Sequence, residues 1–568
     1  MKHKTANTTQ DTSQAAPDPC MEQSYHVFML PFIVKEGVDP KHLEERLSVY
    51  DTTKWIHVCD KVLSDKEEAR KAYNASKYFN KAAFEALHQT TKPPHKSWHR
   101  QHKDEVLEEF ELKNLDPSRS YYRLDLNHSS RAHFAHFSAH LQLQSVRVKL
   151  YSHNIGQILY RTYYNEALFQ KDKERKTVEN YSYLDAVEDI NSYGRRVSLP
   201  FVPQPEQGSY AARLTAVAAE ISVSINTESS HNTTSYKTDF DQMAKSIVPA
   251  GSTAHTYQEN AHHTIAKHAV GIIFNNTIRE DKYHETIIPV YDDRMILASI
   301  ISSDEAANLI PGYTKFKGLD EKTLSQTSPS DNNETAYDNA RRLYGIISCD
   351  SHSDSPTVRD ASMLQKLMHK FSLDRWNEYK SYTGVSHHAF VMIKPPIDDN
   401  AFLFDNFSYL YVEMVSLVVA QRTALLNILH NTSEASRSIK GIHSLGLRAT
   451  SRVAKIKQDI AVFTANINLL DITEQEQGDE TYTKIRENLG VNTLSRNVKE
   501  QVEGLSDAAQ AIRSSVYNAA AFAVAVGALV IEIDTDKIWP NECIKAVFTI
   551  LIILLVFFIS RRIARKKR

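Results

Sequence analysis

Cysteine is scarce. Cys20, Cys59, Cys349 and Cys543 stand far apart, with neither metal-ligand nor disulfide spacing. That excludes a paired-cysteine zinc site and fits a reducing compartment. Excess charge of one sign is lacking too: 67 Lys and Arg against 69 Asp and Glu leave a formal −2. Such a balance carries no footprint for direct nucleic-acid binding. There is no Gly-rich phosphate loop, nucleophile elbow or His-Glu-x-x-His pattern, so the chain is expected not to be an enzyme and to need no cofactor. Residues 1–19 are polar and hold no apolar core, so no secretory signal is expected. The hydrophobic fraction, 42%, is ordinary, and 568 residues suffice for two or more domains.

Long apolar runs occur at the C-terminal end. Residues 516–533 are rich in Ala and Val and carry Asn518; residues 544–560 are almost wholly Ile, Leu, Val and Phe after Lys545. At ~1.5 Å per residue such segments span roughly 25 Å, close to a hydrocarbon core. The stretch between them, 534–542, contains Pro540 and is too short for a domain. An antiparallel two-helix transmembrane hairpin is therefore expected at 516–560. Arg561, Arg562, Arg565, Lys566, Lys567 and Arg568 follow it. Lys and Arg beside a membrane helix stay in the cytoplasm. Both termini are then cytoplasmic, and the loop with Asp534, Asp536 and Glu542 lies outside. The basic tail reads as a topology signal or as a contact for anionic lipid.

The first apolar segment is two-faced. Asp507, Ala511, Ser514, Asn518, Ala521, Ala525, Ala528 and Glu532 recur at steps of 4 and 3 and share one helical face. Val516, Phe522, Val524, Val526, Leu529 and Val530 occupy the other. Small residues in a membrane helix permit close packing. Asn518 and Glu532 need more, because polar groups at membrane depth face a bundle interior or water. The stripe thus reads as tight packing or as a pore lining. In a symmetric oligomer, Ser514, Asn518, Ala521, Ala525, Ala528 and Glu532 would line the path. Glu532, Asp534 and Asp536 would ring its outer mouth and concentrate cations.

Upstream, residues 1–22 are expected to be disordered, and 23–400 to form a cytoplasmic α/β ligand-sensing domain. Tyr25-His-Val-Phe-Met-Leu-Pro-Phe-Ile-Val34 predicts a buried strand. Helical patterns run over about 40–112, broken at Pro93-Pro94. Val146, Val148 and Leu150 alternate with polar residues, which predicts a β-hairpin over 137–164. A helix is predicted at 184–190 and strands at 269–275, 295–301 and 389–393. Residues 226–265 and 318–336 look loop-like, and 357–379 helical. Residues 401–515 predict long stalk helices: Val453, Ile456, Ile460, Phe463, Ile467 and Leu470 follow a coiled-coil-like spacing. Leu494, Val498, Val502, Leu505, Ala509 and Ile512 run straight on into the first membrane segment. A rigid rod of this kind would carry motion from the cytoplasmic domain to the membrane.

Two polar groups stand out. Arg195 and Arg196 close the 184–190 helix after Gly194. They read as a plain C-cap, which the spacing favours, or as an anion site built on guanidinium forks. His133, His136 and His140, with His128 nearby, would share a helical face and suggest a metal site. A strand there would put them on different faces, and no carboxylate partner sits at an enzyme spacing.

With Tyr409-Leu-Tyr-Val-Glu-Met-Val-Ser-Leu-Val-Val-Ala-Gln-Arg422, Thr473-Glu-Gln-Glu-Gln-Gly478 and the terminal helix pair, residues 405–568 resemble the CorA-like divalent cation channel superfamily. Ile190-Asn-Ser-Tyr-Gly-Arg-Arg196 and the 146–164 hairpin look like its divergent members found beside type III CRISPR systems. The resemblance implies a homo-oligomeric (pentameric) effector in the bacterial inner membrane, serving antiviral defence. It further implies gating by a nucleotide second messenger, S-adenosyl methionine joined to AMP, with Arg195 and Arg196 on its phosphate. A divalent cation such as Mg²⁺ would permeate. Val530-Ile-Glu-Ile-Asp-Thr-Asp536 lacks the Gly-Met-Asn of typical CorA channels. That weighs against strict magnesium selectivity and leaves the acidic residues to supply a looser cation preference. Competing readings are a membrane-anchored metal-dependent enzyme using the His cluster, and a non-conducting membrane scaffold.

Overall fold

The computed structural model describes residues 21–34, 47–88, 106–128, 136–151, 154–174, 181–195, 217–227, 230–237, 287–290, 294–320, 334–350, 358–396, 401–440, 447–532 and 550. The chain divides into two compact units: Met1–Thr423 with Leu469–Gly490, and Ala424–Asn468 with Val491–Arg568. The first is α+β and the second helical.

The strands of the first unit are β1 (Gln23–Val34), β2 (Trp55–His57), β3 (Leu107–Leu112), β4 (Tyr121–His128), β5 (His136–Tyr151), β6 (Ile155–Asn165), β7 (Val217–Thr227), β8 (Ser230–Lys237), β9 (Ile287–Pro289), β10 (Ile296–Ser302), β11 (Ser372–Leu373), β12 (Tyr382–Val385) and β13 (Ala389–Lys394). They form one sheet in the order β11-β12-β13-β10-β1-β6-β5-β4-β7-β8, with β3 also on β5 and β9 on β1. β1 lies antiparallel between β6 and β10, and β10 pairs parallel with β13. Helices α1 (Val58–Ser64), α2 (Lys66–Tyr78) and α3 (Lys81–Leu87) precede β3; α4 (Glu166–Glu174) and α5 (Tyr183–Tyr193) follow β6. Next come α6 (Asp304–Ala307), α7 (Leu309–Lys317), α8 (Glu334–Ser348) and α9 (Ala361–Phe371). The last are α10 (Ala401–Asn406), α11 (Val412–Lys440), α12 (Leu447–Asn466), α13 (Glu476–Asn488) and α14 (Val491–Glu532).

The central strand β1 is buried on both faces. Phe28, Leu30, Phe32 and Val34 of β1 enter a core with Leu184, Val187 and Ile190 of α5 and Leu343 and Ile347 of α8. Val27 and Met29 are equally buried but, by the two-residue period of a strand, point the other way. On that second face Phe390 stacks on Tyr411 at 5.8 Å, and Tyr25 meets Phe404 edge-on at 5.2 Å. A π-helical turn, Phe407–Tyr411, joins α10 to α11 there.

The polar side of the β5–β6 hairpin therefore meets helix, not water. Lys149 is fully buried and donates to Glu413 in the first turn of α11 and to the Leu87 carbonyl at 3.1 Å. Arg161 donates to the other Glu413 oxygen at 2.7 Å and to the Ser408 carbonyl of the π-turn at 3.1 Å. Arg147 bonds Glu111 at 2.7 Å and Glu109 at 3.3 Å, and Lys61 reaches Glu111 at 2.7 Å. Burial alone would raise the Glu111 carboxyl, yet Arg147 and Lys61 hold it at about 2. Burial likewise favours a neutral Lys149, but Glu413 and Glu109 outweigh it and keep the ammonium well above its ordinary value.

Several expectations are corrected. Residues 107–112 are a strand, not helix: Glu109 and Glu111 of Leu-Glu-Glu-Phe-Glu-Leu are buried against cations, and Glu108 is buried and accepts from the Tyr50 hydroxyl, instead of facing solvent. Residues 357–379 are not one helix, because α9 stops at Phe371 and the chain turns into β11. Strands β7 and β8 extend into 226–265, which looked loop-like. Helix α8 already begins at Glu334, inside the loop-like 318–336. Residues 401–423 and 469–490 pack with the first unit although they read as stalk. The predicted strand at 269–275, the second membrane segment apart from Ile550, and the basic tail lie outside the described residues.

In the second unit, Val453, Ile456, Phe463 and Ile467 are buried, as are Val498, Val502, Leu505 and Ala509. The first set belongs to α12 and its C-terminal end, the second to α14, and the two helices pack together. Leu470 breaks the predicted periodicity: it lies beyond the end of α12 and is exposed. Helix α14 is 42 residues long without interruption, ~63 Å at the usual rise.

Candidate functional site

Helix α5 delivers the first predicted residue. Ser182 and Asp185 form a reciprocal capping box at its start. Arg342 of α8 then ties it down, reaching Asp185, Glu188 and Glu305 at 2.9, 2.8 and 2.7 Å. From Ala186 to Arg195 every residue is buried. Near its end, Asn191 Oδ1 meets His26 Nδ1 at 2.8 Å, and Ser24 Oγ meets His26 Nε2 at 2.9 Å. The Tyr122 hydroxyl donates to the Gly194 carbonyl at 2.6 Å.

Burial lowers the His26 imidazole to about 4, so it is neutral when folded. The unfolded chain binds a proton near 6.5 that the folded chain refuses, so this share of stability is present above pH 6.5 and is lost as pH falls towards 4. Unfolding midpoints measured from pH 7 to 4 should drop, and His26→Gln should remove His26's part of that slope. An unchanged slope in the variant would contradict the buried neutral assignment.

Arg195 is fully buried. Its backbone carbonyl accepts from Met295 N–H at 2.7 Å, and its guanidinium donates to the Met295 carbonyl at 3.4 Å. This is not the plain C-cap that its spacing favours, since the side chain crosses to the start of β10 instead of returning to α5. Cations gather around it. Burial lowers His388 to about 4, and the charges of Arg195, Arg294, His387 and Arg422 push the same way. Burial raises the Cys349 thiol, with Arg195 and Arg294 opposing. His388 is locked by its carbonyl, which accepts from Leu297 N–H at 3.0 Å. The Arg422 guanidinium donates to the Leu489 carbonyl, next to Gly490, whose φ of +75° favours glycine. The parallel strands β10 and β13 thus begin beside a cluster of Arg195, Arg294, Arg422, His387 and His388. Guanidinium groups of this kind suit an anion such as a phosphate. Arg196 lies outside the described residues. Arg294, Arg422 and His388 carry no local spacing that ties them to Arg195; only the sheet order joins them.

The pore-lining candidates sit on α14. Ser514, Asn518, Ala521 and Ala525 are exposed, as are Asp507 and Ala511. Nine residues separate Ala509, which packs on α12, from Asn518; at ~100° per residue they lie on opposite sides of the helix. Among the described residues, Asp507, Ala511, Asn518, Ala521 and Ala525 of the stripe are thus not used in packing. Ala528 and Glu532 continue the stripe by position, their side chains being outside the described ones. Asp534 and Asp536 lie outside the described residues altogether.

The histidine group is not a helical face. His136 and His140 lie on strand β5 and His128 ends β4; His133 is outside the described residues. His140 pairs with Asp172 at 2.7 Å. Among the described residues no three His, Cys, Asp or Glu converge to hold a metal.

The fold defines an α+β unit followed by a mostly helical part. Among the described residues one helix, Phe402–Arg437, is long and apolar enough to cross a membrane, yet 78% of its apolar window is buried within the molecule. Glu413 and Ser416 seat its start on the sheet, so we read it as a core helix. No protein-family model, curated protein or solved structure matches the chain.

Proposed function

We propose that the chain is an oligomeric cation channel of the CorA-like type, embedded in the bacterial cell membrane through 516–560. Its first unit binds an anionic nucleotide, and the proposed ligand is the S-adenosyl methionine–AMP conjugate of type III CRISPR defence. The observation that supports this reading most is the uninterrupted α14, whose α12-free face continues the small polar stripe into the apolar segment. Several copies would turn these stripes inward around a water path, with Glu532, Asp534 and Asp536 drawing cations such as Mg²⁺ to the outer mouth.

The link to the ligand runs through Arg422. It belongs to the cationic cluster and also holds the Leu489 carbonyl, one residue before Gly490 and two before α14 begins. An anion that binds the cluster more tightly in one setting of this linker biases the channel towards that setting, which is all a ligand can do to a conformational equilibrium.

Purified protein in vesicles, titrated with the conjugate while cation flux is recorded, tests the proposal. Flux should rise or fall with ligand. Glu532→Ala combined with Asp534→Ala should cut cation flux while leaving ligand binding intact. Unaltered flux and ion preference in that variant would remove the acidic residues from the mouth. No flux at any ligand concentration would favour the scaffold.

A further inference from the structure

Between α12 and α14, beside their apolar seam, a groove of about 430 Å³ opens within the second unit. Lys457 lines it from α12, and Ser506, Gln510, Arg513, Ser514 and Tyr517 from α14. Its chemistry is one-sided: two cations, three hydroxyls and an amide line it, with no carboxylate among them. The Arg513 guanidinium lies 5.3 Å from the Tyr517 ring centroid and donates to the Tyr517 hydroxyl at 3.3 Å. Arg513 is therefore held by an aromatic ring and not neutralised by it. Tyr517 itself is 54% exposed, a large aromatic surface left open at the mouth of the groove.

The place of the groove along α14 gives it meaning. The apolar segment begins at residue 516, so Arg513 stands about 5 Å before it at 1.5 Å per residue, and Tyr517 stands just inside. Arg and Lys at the headgroup level with an amphipathic aromatic beside them is the arrangement expected at a membrane–water boundary. We propose that this groove binds the phosphate headgroup of an anionic phospholipid. The proposal rests on the reading that α14 enters the membrane near residue 516. Arg513 presents a planar fork that matches a phosphate, and Lys457 adds a second charge from the facing helix. Ser506 and Gln510 offer further donors, and the Tyr517 ring borders the acyl region. A lipid held there would bridge α12 and α14 beside the start of the apolar segment.

The test uses the full chain in detergent, titrated with short-chain phosphatidylglycerol, phosphatidylcholine or inorganic phosphate. Retained lipid is read by native mass spectrometry and stabilisation by thermal melting. Phosphatidylglycerol should be retained and should raise the melting temperature, and the other two should not. Lys457→Ala with Arg513→Ala should weaken phosphatidylglycerol binding about thirtyfold, the combined effect of two headgroup charges. A variant with Arg565, Lys566, Lys567 and Arg568 changed to Gln should keep the groove's share. Both groove cations are exposed, so the double variant should melt like the parent without lipid. Equal lipid retention by parent and double variant would overturn the proposal. So would inorganic phosphate binding as well as the lipid, or disulfide cross-linking of Arg513→Cys to a second copy in vesicles, which would show the groove covered by protein. Vesicle flotation separates the two layers of inference. A parent chain that fails to float strikes the membrane reading itself; a floating double variant with unaltered lipid preference strikes only the groove.

Discussion

Glu413→Ala should unfold the first unit at temperatures where the parent is intact. The carboxylate is buried between Lys149 and Arg161, and its removal leaves the buried Lys149 and the partly buried Arg161 without it. Breaking one partner of such a cluster costs about 3–5 kcal/mol, a large share of the stability of an ordinary domain. Glu413→Gln keeps the shape but not the charge and should fall between. Replacing Glu413, Lys149 and Arg161 together with apolar residues of similar volume should recover much of the loss, because an ion cluster is worth little against well-packed hydrocarbon. Denaturant melts of the four proteins check this. A single Glu413→Ala variant within 1 kcal/mol of the parent, about the effect of an exposed pair, would mean that the helix start is not clamped in this way.

The second large effect belongs to the cationic cluster. Arg195→Ala with Arg196→Ala should abolish measurable binding of the S-adenosyl methionine–AMP conjugate, a loss of at least 100-fold by the usual cost of truncating a buried charged contact. Arg195 is buried, so folding must be watched alongside. Arg195→Lys keeps the positive charge without the fork and should retain the melting temperature better than the ligand. Calorimetric titration and thermal melts of each variant distinguish the cases. A double variant that folds and binds the conjugate at parental affinity would return Arg195 to a structural role, bracing α5 against β10 through the Met295 carbonyl.

Parts of this fold were legible in the residues. The apolar run of β1, the β5–β6 hairpin, helix α5 and the α12 and α14 spacings all follow from local pattern. The misread parts have a common cause. Glu109 and Glu111 of β3, and Arg147 and Lys149 of β5, look like solvent-facing residues, but each is buried against a partner from a distant element. Local periodicity reports hydrophobic against polar; it cannot report a polar face closed by opposite charge. The site behaves the same way. Arg195 was visible beside its helix end, but Arg294, His388 and Arg422 reach it only because β10 and β13 lie parallel and α11 crosses the sheet's second face. His136 and His140 were read on a helical period and belong to a strand.

The central position of β1 has a consequence for how the protein is made. The first strand to leave the ribosome has β6 on one side, but its other edge waits for β10, which is synthesised hundreds of residues later. Residues 469–490, also needed by that unit, arrive just before the apolar tail. Translation therefore holds an open, pairing-competent edge for about half of its duration, the condition in which nascent chains stick to one another. Completion of the first unit and synthesis of the apolar tail then fall in the same short interval, so slowing either step would expose the other to aggregation.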